Sequence, residues 1–281
     1  MPPTPLENVS RRRPISTIEV VALCIGVALL TVAAMAAIFG GKRDPVVAEL
    51  ERRYGSRVSR GIEEWVIRDY FQDRRDGTFL DVGASHYKDS NNTYFLETSL
   101  GWSGLAIDAI EEFGVDYKIH RPRTQFVGMF ASDIRDRTVR FFVADTEALS
   151  SSDPEFIKRY GAQAKPREVP TTTLNAVLEA ARIPTIDFLS MDIELGEPKA
   201  LAGFDIARYR PAFACIEAHP EVRQQILDYF TAHAYVVVGK YLRSDSTNLY
   251  FRPLAAPTGS GASASGHGGT GGRSGTGGEE K

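Results

Sequence analysis

One pattern constrains the fold more than any other: short apolar runs that each stop at a glycine or an acid, separated by segments with helical apolar spacing. TFLDV at 78–82 stops at Gly83, GLAID at 104–108 ends in Asp108, TIDFLSM at 185–191 stops at Asp192, and AFACIE at 212–217 ends in Glu217. Residues 125–129, 235–239 and 248–251 read as further strands, and 137–143 alternates like a half-buried strand in a hairpin insertion. Residues 60–72, 91–99, 110–120, 174–182, 198–202 and 221–233 read as helices. Strands alternating with helices specify βαβ units, hence a mostly parallel sheet with right-handed crossovers and helices on both faces. Such sheets bind ligands beyond the carboxyl ends of their strands. The residues that follow each strand are therefore the candidates for function.

Composition sets the domain plan. Residues 1–19 are polar and carry Arg11, Arg12 and Arg13. Residues 20–41 hold 22 positions without a charge; as a helix they would span about 33 Å, enough for one bilayer crossing. This run reads as a transmembrane signal anchor, with a cleaved signal peptide as the second choice because Ala34-Met35-Ala36 resembles a cleavage site. Residues 42–59 read as a juxtamembrane linker, 60–254 as the globular domain, and 255–281, rich in glycine and serine, as a disordered tail. Lys42, Arg43, Arg52, Arg53, Arg57 and Arg60 after the run outnumber the three arginines before it. That bias places the globular domain on the cytoplasmic side of a single-pass protein. Net charge is −3, which excludes a global basic field for nucleic acid. Cys24 and Cys215 have no metal-type spacing, so no metal ligand is assigned from cysteine.

The first strand leads into Asp81-Val82-Gly83-Ala84-Ser85. Gly83 and Ala84 permit a tight turn and a close ligand. One βα unit later stands Asp108, where a carboxylate can take both hydroxyls of a ribose. The turn lacks the spacing G-x-G-x-x-G that a pyrophosphate requires. An adenosine-like ligand without that pyrophosphate fits, and an NAD-dependent oxidoreductase, one alternative function, fits poorly.

Four segments resemble the FkbM family of S-adenosylmethionine-dependent methyltransferases: TFLDVGAS at 78–85, SNNTYFLETSLGWSGLAIDA at 90–109, IDFLSMDIELGEPKALAGF at 186–204 and ACIEAH at 214–219. They stand in the family's order and spacing and cover most of 60–254. The resemblance implies a Rossmann-like class I methyltransferase fold, a seven-stranded sheet with its last strand antiparallel. It implies S-adenosyl-L-methionine as cofactor and methyl transfer to a hydroxyl of a sugar, glycan or other small molecule. It also implies that Asp81, Gly83, Ala84 and Ser85 line the methionine part, that Asp108 holds the ribose, and that Asp133 faces the adenine. Asn92 matches a polar residue opening the next helix, where it contacts cofactor or simply caps the helix. The family shows Asp-x-Glu-Gly after the fourth main strand; here Leu195 separates Glu194 from Gly196.

Asp192, Glu194, Glu217 and His219 are the candidate catalytic residues. An alcohol needs its proton removed, and a carboxylate or imidazole within reach does that. His219 is the first candidate base and Asp192 the second. A divalent cation held by these side chains is a less favoured alternative. Arg121 and Arg123 read as a solvated loop, and Ser150, Ser151 and Ser152 as a loop near substrate. A non-catalytic, membrane-tethered binding protein of the same fold is the remaining alternative.

Overall fold

The computed structural model describes residues 43–254; the run read as a membrane anchor, the segment before it and the stretch read as a tail lie outside the described residues. Among those described, no helix is long and apolar enough to cross a membrane. The chain divides into two units, 1–57 and 58–281. In the first, the stretch read as a linker carries helix α1, Pro45–Tyr54, started by Asp44 accepting from the amides of Val46 and Val47 and stopped at Gly55.

The second unit is built on a seven-stranded sheet. In chain order its strands are β1 (Thr78–Val82), β2 (Ser103–Asp108), β3 (Thr124–Gly128), β7 (Phe188–Met191), β8 (Phe213–Glu217), β9 (Tyr235–Val237) and β10 (Asn248–Pro253). A second sheet of three strands contains β4 (Phe130–Ala131), β5 (Thr138–Ala144) and β6 (Ala164–Thr172). The large sheet runs β3-β2-β1-β7-β8-β10-β9, with β10 antiparallel to both its neighbours. Order reverses between β1 and β7, so that edge is the switch point where ligands sit.

Strict alternation builds both faces. Phe79, Phe188 and Phe213 are paired in register across β1, β7 and β8 and point one way. There the rings of Phe188 and Phe213 meet the edge of Phe71 from helix α2, Glu63–Phe71. Leu80, Leu189 and Ala214 point the other way into the main core. That core closes on Leu174 and Leu178 of α6 (Leu174–Ala180), Leu201 of α7 (Glu197–Ala202) and Phe230 of α9 (Arg223–Ala232). The remaining helices are α3 (Tyr94–Leu100), α4 (Gly114–His120), α5 (Pro154–Arg159) and α8 (Ile206–Tyr209).

The small sheet is the insertion foreseen at 137–143, but its partner β6 was hidden by Pro166 and Pro170. The amide of Thr171 donates to the carbonyl of Arg137, so odd-numbered residues of β6 turn their amides to β5. The prolines, at even positions, face the side where β4 covers only Thr171 and Thr172. A proline is tolerated on such an open edge. Helix α5 lies between these strands and starts on Asp153, which caps the amide of Glu155 ahead of Pro154.

Candidate active site

A cleft of about 980 Å³ opens at the carboxyl edge of the large sheet. Asp81, Gly83, Ala84, Ser85, Asn92 and Asp108 line one half, and Asp192, Glu194, Glu217 and His219 the other. Asp133 does not belong to it. The chain leaves the sheet edge at Ala131, and Asp133 is exposed, accepts from the Ser132 hydroxyl, and lines a separate shallow hollow with Arg135 and Arg137.

At the β1–β2 end each carboxylate is met by donors. Asp81 accepts from the Thr93 hydroxyl at 2.8 Å. Burial pushes its carboxyl up to about 6, against the pull of Thr93 and the nearby Arg121 guanidinium. Asp108 accepts from the amides of Ser85 at 2.9 Å and Ile110 at 2.8 Å, and burial likewise holds it at about 6. These bonds fix the carboxylate at the strand end and leave further lone pairs for a ligand. Asn91 braces the turn by donating to the carbonyl of Ala84 at 2.9 Å.

Behind these groups lies Arg121, which is wholly buried rather than solvated. It pairs with Glu97 at 2.5 Å and donates to the Tyr87 carbonyl, the Asn91 amide oxygen and the Thr93 hydroxyl. Arg121 thus sets the residues that set Asp81. Asn92 is no helix cap: its amide donates to the Ser190 hydroxyl at 3.1 Å, and the helix after it makes no side-chain cap bond.

Gly83 is required for a reason beyond ligand approach. Its φ is +78°, and a Cβ there would stand 1.7 Å from the carbonyl oxygen of Asp192. The glycine therefore lets the β1 turn lie against the end of β7, joining the two halves of the cleft.

At the β7–β8 end, like charges converge. His219 Nε2 lies 3.1 Å from Glu194 Oε2 and 3.3 Å from Glu217 Oε2. Its backbone carbonyl, not its ring, receives the amides of Val222 and Arg223, so the imidazole is free to enter the cleft. The ring packs edge-on against Phe156 of α5. Burial, then the charge of Asp192, raises Glu194 to about 9; the same causes raise Glu217 to about 11. Asp192 opens onto the cleft and is raised as well, chiefly by desolvation, with Glu217 as its hydrogen-bond partner and Arg60 and His219 as the opposing charges. Glu197, fully buried, accepts from the amide of Ile193 and is raised to about 7 by its burial.

The turn 193–196 is strained where Leu195 displaces the glycine. Glu194 has φ +50° and Leu195 φ +76°, a region that costs a side-chain-bearing residue about 1–2 kcal/mol. Ser151 holds it there, its hydroxyl donating to the carbonyl of Glu194 at 2.9 Å. Overhead, Phe130 and Phe141 of the small sheet meet edge to face and line the cleft with Phe113. Glu147 on the rim reaches His86 at 3.1 Å. Reading the sequence missed Arg121, Asn91 and this roof. Arg121 offers no local signal, whereas the Asp-Pro-Glu run at 153–155 could have revealed α5.

An open α/β sheet with a glycine turn at its switch point, an acid at the next strand end and a cluster of acids beside it defines a nucleoside-binding enzyme fold of the methyltransferase type. The chain belongs to the FkbM family of S-adenosylmethionine-dependent methyltransferases: the family described as "Methyltransferase FkbM domain" matches residues 81–237. No curated protein sequence matches it. Among solved structures it is similar to a TehB-like SAM-dependent methyltransferase from Corynebacterium glutamicum, at 14% identity over 72% of this chain and 92% of that one, with a TM-score of 0.40. It is also similar to the 1,6-didemethyltoxoflavin-N1-methyltransferase of Burkholderia thailandensis, solved with 1,6-didemethyltoxoflavin and S-adenosylhomocysteine, at 10% identity over 87% and 93% of the two chains, with a TM-score of 0.34.

Proposed function

We propose that this protein methylates a hydroxyl oxygen of a sugar, glycan or other small-molecule acceptor, using S-adenosyl-L-methionine. One observation carries the reading: a single cleft brings Asp108 and the Gly83 turn at one end face to face with Asp192, Glu194, Glu217 and His219 at the other. The residues suit the cofactor. Asp108 offers the ribose a carboxylate already fixed by two amides. Phe113, Phe130 and Phe141 offer an apolar roof for a base. Asp81 and the 83–85 turn are left for the aminoacid end. About 980 Å³ lies at the upper end of ordinary small-ligand pockets, about 300–1,000 Å³, and so has room for a second substrate.

The cofactor supplies an activated methyl group; the protein aligns the acceptor and takes its proton. As the O–CH₃ bond forms and the S–CH₃ bond breaks, the hydroxyl proton passes to Asp192. We prefer Asp192 over His219 as base because Nε2 of His219 already lies between two carboxylates, while Asp192 faces the cleft. The uncharged run 20–41 supports a membrane tether, and the excess of Lys and Arg after it supports a catalytic domain on the cytoplasmic side; a tether would favour a lipid-linked or envelope acceptor.

Thermal shift tests the cofactor: stabilisation by S-adenosylmethionine and S-adenosylhomocysteine but not by NAD is expected, and a shift with NAD alone refutes the reading. Mass spectrometry of membrane extract incubated with labelled cofactor then tests the acceptor. Label on a glycan or small-molecule oxygen is expected; label only on protein or nucleic acid contradicts it.

A further inference from the structure

We propose that the β7–β8 end of the cleft is a divalent cation site, with Glu194, Glu217 and His219 as its protein ligands. Their ligand atoms all lie within 4.8 Å of one another. His219 Nε2 stands 3.1 and 3.3 Å from the two carboxylate oxygens. Donors about 2.1 Å from one ion and about 90° apart stand about 3 Å from each other, so the spacing already matches a shared centre. A single N–H shared between two carboxylates makes two weakened bonds, whereas an imidazole lone pair and two carboxylate oxygens together serve one cation.

A second observation comes from Glu217. Its side chain is 9% exposed, and Oε2, the atom facing His219, has no hydrogen-bond partner. An orphaned buried carboxylate oxygen costs free energy unless something outside the chain meets it. Glu194 and Asp192 stand beside it, and Arg60 is the one cationic side chain among their main electrostatic partners apart from His219. A divalent ion meets the orphaned oxygen and lets the crowded carboxyls take their charged form as its ligands. The mixed carboxylate and imidazole set suits Mn²⁺ or Zn²⁺. Three protein ligands leave coordination positions open to the cleft. Resting on the methyl-transfer reading, those positions would take the acceptor hydroxyl oxygen, with Asp192, outside the ligand set, left to receive its proton.

The test uses full-length protein stripped by chelation. MnCl₂ and, separately, ZnCl₂ are titrated in, with bound metal quantified by electron paramagnetic resonance and by atomic emission after desalting. S-adenosylhomocysteine affinity is measured on the same samples. One saturable ion per chain is expected, weakened about tenfold or more in both Glu217→Gln and His219→Ala, while both variants still bind S-adenosylhomocysteine and so are folded. Absence of saturable binding by either metal, or binding unchanged in both variants, overturns the site. If cofactor binds and no metal does, the cation site falls alone. If metal binds and cofactor does not, the methyl-transfer reading falls and the cation site stands.

Discussion

The two halves of the cleft are both acidic, yet they differ in how their charge is met. At the β1–β2 end, Asp81 has a hydroxyl donor and a buried guanidinium nearby, and Asp108 has two amides. At the β7–β8 end, Glu194 and Glu217 face each other across His219, and Glu217 keeps an orphaned oxygen. Burial pushes the first pair only to about 6 but the second to about 9 and 11. In the first half each carboxylate already has a donor from the chain before any ligand binds, whereas in the second Glu217 keeps an oxygen that no donor of the described residues meets.

The hardest blow to this contrast should come from Arg121→Ala. It removes the guanidinium that donates to Thr93 behind Asp81 and leaves buried Glu97 without its cationic partner, with only the Arg123 amide and the Thr124 hydroxyl still donating to it, which costs about 3–5 kcal/mol. Calorimetry should show a large fall in Tm; a small change would mean that the first half is not organised from behind. Gly83→Ala strikes the seam between the halves, driving a Cβ into the Asp192 carbonyl at a positive φ. About 2–4 kcal/mol should be lost in denaturant unfolding, and a neutral result would show that the turn can move away from β7.

Acid–base linkage separates the halves further. All four carboxyls are raised above their unfolded values, so the folded chain binds more protons and stability falls as pH rises through each interval. For Asp81 and Asp108 that interval runs from about 4 to about 6. For Glu194 and Glu217 it extends to about 9 and about 11. In cation-free protein, loss of stability between pH 7 and about 9 should therefore come mainly from the second half, at up to about 1.4 kcal/mol per pH unit per group. Urea melts across that range should show the slope in wild type and a flatter one in Glu217→Gln; equal slopes would remove the contrast. The smallest effect is Ser151→Ala, which frees the strained turn at Glu194 and should cost about 1 kcal/mol, read as a modest shift in the urea midpoint. No shift would mean that the turn holds itself.

Much of the scaffold was legible because buried parallel strands write themselves as apolar runs with sharp ends: TFLDV is strand β1 at both boundaries. The strand-end rule then brought Asp81, Asp108, Asp192 and Glu217 to one edge without any knowledge of contacts. What escaped depends on partners distant in sequence. Arg121 looks like any surface arginine until Glu97 and Asn91 enclose it. Strand β6 is masked by prolines that only its pairing makes harmless. Asp108 is itself the last residue of β2, whereas Asp133 stands two residues beyond β4 of the small sheet, where the chain has already turned to a separate hollow. Gly83 was singled out correctly as a turn residue, but the backbone that forbids a side chain there belongs to β7.

The most direct test of the account is a crystal structure of the protein with S-adenosylhomocysteine. It should place the ribose hydroxyls on the Asp108 carboxylate, the aminoacid end against the 81–85 turn, and the sulfur facing Asp192. Ligand bound elsewhere, or a cleft that stays without it at saturating concentration, would contradict the assignment of this cleft to methyl transfer.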